Sequence, residues 1–318
     1  DVVSVTATFS ESVIVDNASG TPTLTLIVGS TNRTATYASG SGSAPLVFQY
    51  TIQAGDNDSN GISIGTNALD LDNATIRDAA GNDATLTHSS VDNNSGYKVD
   101  AILPTIDSVE IDNTTTGMQN NFLNASDAAG SDVVSATVTF SELVNVTGTP
   151  QLTLAIGSDN ETANYASVGS DNTSKLFKYT IQAGDNDTNG ISIGTNVLAL
   201  NSGTISDPAG NNATLTHSSV DNNSSYKVDT IPPTVDNFTM SDTELKIGDN
   251  ATVTLEFSEP VCVSTSECTR SQTNAADPYF SKADITILNG EIPTMTSDDN
   301  ETWIGTFTPT ADTEDDSN

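Results

Sequence analysis

Tyr50-Thr-Ile-Gln-Ala-Gly-Asp-Asn-Asp-Ser-Asn-Gly-Ile-Ser-Ile-Gly-Thr-Asn67 returns as Tyr179 to Asn196 with one change, Ser59 to Thr188. Three parts recur in each copy. Phe48, Tyr50 and Ile52, repeated as Phe177, Tyr179 and Ile181, alternate with polar residues as a half-buried strand does. Ile62 and Ile64, repeated as Ile191 and Ile193, predict a second short strand. Between them lies Asp56-x-Asp58-x-Asn60-Gly61, repeated as Asp185-x-Asp187-x-Asn189-Gly190. This is the first half of a calcium loop: side-chain oxygens at positions 1, 3 and 5, glycine at 6, a backbone carbonyl at 7 (Ile62, Ile191). Position 12 is Asn67 or Asn196 rather than a bidentate glutamate, so the site would be weaker or completed from elsewhere. The alternative reading is a solvated hairpin turn.

Outward from this stretch the duplication continues. Tyr179 follows Tyr50 by 129 residues, a spacing that suits a sandwich domain and exceeds solenoid periods. Asp1-Val-Val-Ser matches Asp132-Val-Val-Ser, and Thr8-Phe-Ser-Glu11 matches Thr139-Phe-Ser-Glu142. Asp78-Ala-Ala-Gly-Asn82 matches Asp207-Pro-Ala-Gly-Asn211, and Ala84 to Asn94 is identical to Ala213 to Asn223. Period-two patterning recurs in Val3, Val5, Ala7, Phe9 and in Leu152, Leu154, Ile156, with no run of helical periodicity. The expected class is all-β: tandem immunoglobulin-like β-sandwiches.

Three domains are expected: 1–103, 104–232 and 233–318. Val99-Asp100-Ala-Ile-Leu-Pro104-Thr105 and Val228-Asp229-Thr-Ile-Pro-Pro233-Thr234 mark the crossings, stiffened by proline. The third domain keeps the strand Ala251 to Phe257 and its Phe257-Ser-Glu259, then diverges, with strands expected around Ile285 to Leu288 and Trp303 to Thr308. Set against the second copy, the first lacks an opening strand and the third lacks closing strands. The expectation is a segment of a longer chain, with strand donation between subunits as the alternative.

Acidic residues outnumber basic ones 42 to 9, for a net charge of −33. Such a chain repels nucleic acid and anionic lipid and attracts cations. No membrane-inserting stretch is visible. Cys262 and Cys268 suit a disulfide in an oxidising compartment, two buried thiols being the alternative. Of 31 asparagines, 17 stand in Asn-x-Ser/Thr, about twice what chance gives at this serine and threonine content. The candidates for glycosylation are Asn17, Asn32, Asn73, Asn113, Asn124, Asn145, Asn160, Asn172, Asn212, Asn237, Asn250 and Asn300. No enzyme is expected. There is no Gly-x-Ser-x-Gly elbow or phosphate loop, and His88 and His217 occupy duplicated Thr-His-Ser-Ser positions.

At Phe-Ser-Glu, Ala-Gly-Asp-Asn-Asp-x-Asn-Gly, Asp-x-Ala-Gly-Asn and Val-Asp-x-x-x-Pro-Thr the chain resembles the Ig-like repeats of large prokaryotic surface proteins, among them giant bacterial adhesins and archaeal S-layer proteins. The resemblance covers residues 1–236, and 237–318 resemble a second type of prokaryotic Ig-like module. It implies Ca²⁺ as the bound ion and an extracellular, cell-surface place. The implied partners are neighbouring copies or further repeats. In related modules calcium commonly stiffens the domain junctions. Carried over, this implies Glu11, Asp78, Asn82 and Asp100 at the first junction and Glu142, Asp207, Asn211 and Asp229 at the second. The implied function is a structural surface-layer block, or else an adhesin stalk, or else ancillary domains of a secreted enzyme.

Overall fold

A computed structural model describes residues 1–112, 122–124, 132–168, 172–242, 244–246, 248–261 and 280–311. The chain is all-β, built of sheets that are antiparallel but for the parallel pairing of Phe122–Leu123 with Lys227–Val228, with a single short 3₁₀ turn among the described residues at Lys282–Asp284. It divides into two compact units. One holds residues 1–105 with 141–146 and 204–214; the other holds 106–140, 147–203 and 215–318.

The first unit is organised by β1 (Val2–Asp16), β2 (Thr23–Val28), β3 (Thr31–Ser39), β4 (Ser43–Thr51), β5 (Asn57–Asp58), β6 (Leu69–Asp70), β7 (Thr75–Arg77) and β8 (Val99–Asp100). Six of them form a sheet in the order β6-β2-β3-β4-β1-β7. The alternation read from sequence sets the register: Val3 faces Tyr50, Val5 faces Phe48 and Ala7 faces Leu46. Leu24, Leu26, Val28, Leu46 and Phe48 are buried on the inner face. Ile62 and Val99, from the irregular segments between 53 and 100, and Ile76 of β7 pack into the same core. Ile62 and Ile64 do not build a strand of their own. Isolated bridges, Ser63 to Ile27 and Ile64 to Val91, pin them instead.

In the second unit the same sheet is rebuilt from β9 (Ile106–Ile111), β11 (Val133–Phe140), β13 (Gln151–Ile156), β14 (Asp159–Val168), β15 (Ser174–Thr180) and β17 (Leu198–Ala199), in the order β17-β13-β14-β15-β11-β9. β10 (Phe122–Leu123), β16 (Asn186–Asp187) and β19 (Lys227–Asp229) form a small second sheet here, whereas β12 (Asn145–Thr147) and β18 (Thr204–Ser206) pair with each other and fall largely within the first unit. One position departs from the pattern. Lys175 pairs with Val138, where the first repeat pairs Leu46 with Ala7, and it is fully buried. Its ammonium donates to the Asn172 carbonyl.

The remainder of this unit is a sheet of β20 (Val235–Met240), β21 (Ala251–Phe257), β22 (Gly290–Glu291), β23 (Met295–Thr296) and β24 (Thr302–Pro309). Its small core gathers Leu255, Val261 and Trp303, with Phe280 edge-on to Trp303 at 4.9 Å. The strand expected around Ile285 to Leu288 is absent. Ser281 caps the 3₁₀ turn there with a reciprocal Ser281–Asp284 capping box, which bends the chain away from an extended path. Cys262, Cys268 and the sequon at Asn113 lie outside the described residues.

Candidate metal centre at the linker between repeats

The aspartates of the Asp-x-Asp-x-Asn-Gly loops accept hydrogen bonds from the protein itself. Asp58 is 2% exposed, and its carboxylate accepts the backbone N–H groups of Asn60 and Gly61 through Oδ1 and that of Gly29 through Oδ2. Asp187 repeats this with Asn189, Gly190 and Gly157. Gly29 opens the hairpin turn between β2 and β3 at φ +58, and a Cβ there would sit 2.2 Å from the Asn57 carbonyl oxygen. Only glycine lets the hairpin approach the loop so closely. The position-7 carbonyls are engaged as well: Ile62 accepts Asn94 N–H and Ile191 accepts Asn223 N–H, each at 3.0 Å.

Asp56 has a cation of its own. The Arg33 guanidinium lies 2.6 Å from Oδ1, while Oδ2 accepts the Tyr50 hydroxyl at 2.5 Å and Gln53 N–H at 2.9 Å. Burial pushes the Asp56 carboxyl up, but the bonds from Tyr50, Gln53 and Arg33 outweigh it and hold it below its ordinary range. In the second repeat Glu161 stands where Arg33 does. The Tyr179 hydroxyl donates to Asp185 at 2.9 Å, and burial, then Asp185 and Glu161, raise the phenol far above its usual range. Asp56, Asp58, Asn60 and Ile62, and Asp185, Asp187, Asn189 and Ile191, the residues expected to hold calcium, thus form a turn tied by protein donors. Its carboxylates are already answered by protein donors.

What the turn holds is the linker. β5 pairs β8, setting Asn57 opposite Asp100 and Asp58 opposite Val99. Gly55 N–H donates to Ala101 O, and Ala101 N–H to Asp56 O. β16 and β19 repeat the arrangement, with Asn186 opposite Asp229. Each motif thus presents the aspartate that ends its repeat.

Asp100 meets acids of the following repeat rather than its own. One ligand oxygen from each of Asp100, Glu142 and Asp207 lies within 4.8 Å of the others, and among the described residues no other three acidic, histidine or cysteine side chains gather so closely. The expected set joined Asp100 to Glu11, Asp78 and Asn82; the structure brings Asp100 beside Glu142 and Asp207. The chain leaves β8 and is captured further on: Thr105 exchanges bonds with Ser141, and Thr214 N–H donates to Pro104 O. Asn211 donates one bond to Asp207 Oδ2 at 2.8 Å and another to the Asp100 carbonyl at 2.9 Å. Glu11, Asp78 and Asn82 keep the counterpart geometry without such an aspartate, Asn82 donating to Asp78 at 2.7 Å. Asp229, expected with Glu142, Asp207 and Asn211, has its carboxylate hydrogen-bonded to Glu259.

Asp207 is 2% exposed, Glu142 half-buried and Asp100 exposed. Burial, then the charges of Asp100 and Asp207, raise the Glu142 carboxyl above its ordinary range. Burial and Asp229 do the same to Glu259. Here, unlike in the loops, the acids meet one another. Three carboxylates with no thiol or imidazole form a hard-oxygen set suited to Ca²⁺ or Mg²⁺ rather than zinc. Although Asp207 is bonded to Asn211, each of its oxygens keeps a lone-pair direction for an ion.

Of the described sequons, Asn17, Asn32, Asn73, Asn145, Asn160, Asn172, Asn212, Asn237 and Asn250 are exposed, whereas Asn124 and Asn300 are half-buried. Residues 229–318 match the family model of a bacterial Ig-like domain. No curated protein matches the chain. An Ig-like module of this kind points to a surface or structural role in general. Among the described residues no helix is long and apolar enough to cross a membrane.

Proposed function

We propose that this chain is a calcium-stabilised, glycosylated structural segment of an extracellular surface protein, a building block of an S-layer or surface sheath. The observation that carries the reading is the gathering of Asp100, Glu142 and Asp207 across the linker. Calcium there would be held by these three side chains, and it would supply the positive charge that the acids lack. Asn211 orients Asp207 and grips the Asp100 backbone, so the linker is presented to the ion already in place.

The domain division 1–103, 104–232 and 233–318 belongs to this reading, as do the sequons and the net charge of −33, which concentrates cations at a surface. Cys262 and Cys268 would be oxidised in such a place. No catalytic role is proposed. The partners would be neighbouring copies or further repeats. A stalk of a calcium-dependent adhesin is the second reading, favoured by the identity of Ala84–Asn94 with Ala213–Asn223.

The test is hydrogen exchange at Asp100 to Thr105 in calcium and in chelator. Calcium should slow exchange there and raise the melting temperature; identical exchange in both would remove the metal from the account. A two-dimensional lattice on native surfaces would favour the sheath, and isolated fibres the stalk.

A further inference from the structure

The two repeats differ at one sheet edge. In the second, β9 lies antiparallel along β11, with Ile111 opposite Ala136, Val109 opposite Val138 and Ile106 opposite Phe140. Those β11 residues are 0%, 0% and 2% exposed. Their counterparts Val5, Ala7 and Phe9 on β1 are only half-buried; β7 pairs with β1 at Ile14 to Asp16, and among the described residues no strand lies beside Val5 to Phe9 on the side away from β4. In its place is a groove of ≈ 530 Å³, lined by Val5, Ala7 and Phe9 from β1 and by Thr85, Leu86 and His88 from the segment after β7.

The bonds that guide β9 into place have counterparts too. Ser141 and Thr214 bind the chain on either side of Pro104 and Thr105. Ser10 and Thr85 stand at the equivalent positions, and both line the groove. Glu11, Asp78 and Asn82 line it as well, matching Glu142, Asp207 and Asn211.

We infer that this groove is an acceptor for the linker-strand of another Ig-like repeat. The occupant has the form Asp-x-x-x-Pro-Thr followed by a strand with apolar residues at the spacing of Ile106, Val109 and Ile111. Such a strand adds antiparallel to β1, buries Val5, Ala7 and Phe9, and closes the sheet edge. Its aspartate arrives beside Glu11 and Asp78, completing there the triad that Asp100 completes with Glu142 and Asp207. That last step rests on the calcium reading; the docking of the strand does not.

The test uses the 318-residue chain and a synthetic peptide of residues 99–111, titrated by calorimetry in calcium chloride and in chelator, with exchange followed at Val5 to Phe9. The expected result is a one-to-one complex that protects those amides, binds more tightly in calcium, and loses the calcium gain with an Asp100→Asn peptide. A Val109→Asp peptide should bind about 10- to 100-fold more weakly, the effect of keeping one aliphatic side chain out of a buried site. Equal affinity in calcium and chelator would overturn the metal step and keep the docking. No binding and no protection, or undiminished binding of the Val109→Asp peptide, would overturn the docking. A dimer of the chain that protects the same amides without peptide, through a surface other than the strands after Pro104 and Pro233, would overturn the choice of occupant.

Discussion

The Asp58 turn and the Asp100 linker site are both acidic and stand side by side in the β5–β8 ladder, yet they solve opposite problems. Asp58 is buried and faces three N–H donors, while its neighbour Asp56 faces an arginine and a tyrosine. Glu142 faces two further carboxylates. A buried carboxylate surrounded by donors is a structural fastener. One surrounded by carboxylates raises its affinity for a proton or a metal ion. The motif that looks most like a calcium loop thus fastens the chain through its aspartates, and the less conspicuous Asp100, Glu142 and Asp207 are the acids that gather.

The largest effect should come from breaking the fastener. Asp58→Ala strands three backbone donors and should destabilise the first unit by about 3 kcal/mol or more in urea, equally in calcium and chelator. Chelation of the native chain should cost somewhat less, about 2–3 kcal/mol if calcium stands at a hundredfold its dissociation constant, read as a fall in melting temperature. Arg33→Glu would copy the second repeat's Glu161 into the first. Because that repeat keeps the turn without an arginine, the cost should be about 1–2 kcal/mol.

The smallest effect is the most diagnostic. Glu142→Gln removes one of three like charges and should stabilise the metal-free chain by about 1 kcal/mol or less, while abolishing its response to calcium. The pH dependence follows from the same group. A carboxyl raised in the folded state favours folding while protonated, and that benefit is lost as pH climbs from the unfolded value, about 4.3, through the raised one. Metal-free protein should therefore lose the Glu142 and Glu259 contributions as pH rises above the ordinary glutamate value. Glu142→Gln should flatten its share. Asp56, held low, acts in the opposite sense: its contribution is lost only as pH falls below the ordinary aspartate value.

Much of the sheet was legible in the sequence because alternation is a local property. Val3 to Phe9, Leu24 to Val28 and Leu152 to Ile156 bury every second residue, wholly or in part, as their pattern requires. Lys175 was not legible, since its place in the core depends on which residue of β11 lies opposite. The candidate site was legible as residue types but not as a grouping. Asp100 and Asn211 are 111 positions apart, and only the capture of the linker by Ser141 and Thr214 brings them together. Nor did the Asp-x-Asp-x-Asn-Gly spacing reveal that Arg33 and Gly29, from another hairpin, would answer its carboxylates.

The most direct measurement is a calorimetric titration of calcium into the metal-free chain and into its Glu142→Gln and Arg33→Glu variants. Heat of binding should be present in the native chain, lost from the linker site in Glu142→Gln, and retained in Arg33→Glu. Undiminished binding in Glu142→Gln would contradict the assignment of the ion to Asp100, Glu142 and Asp207.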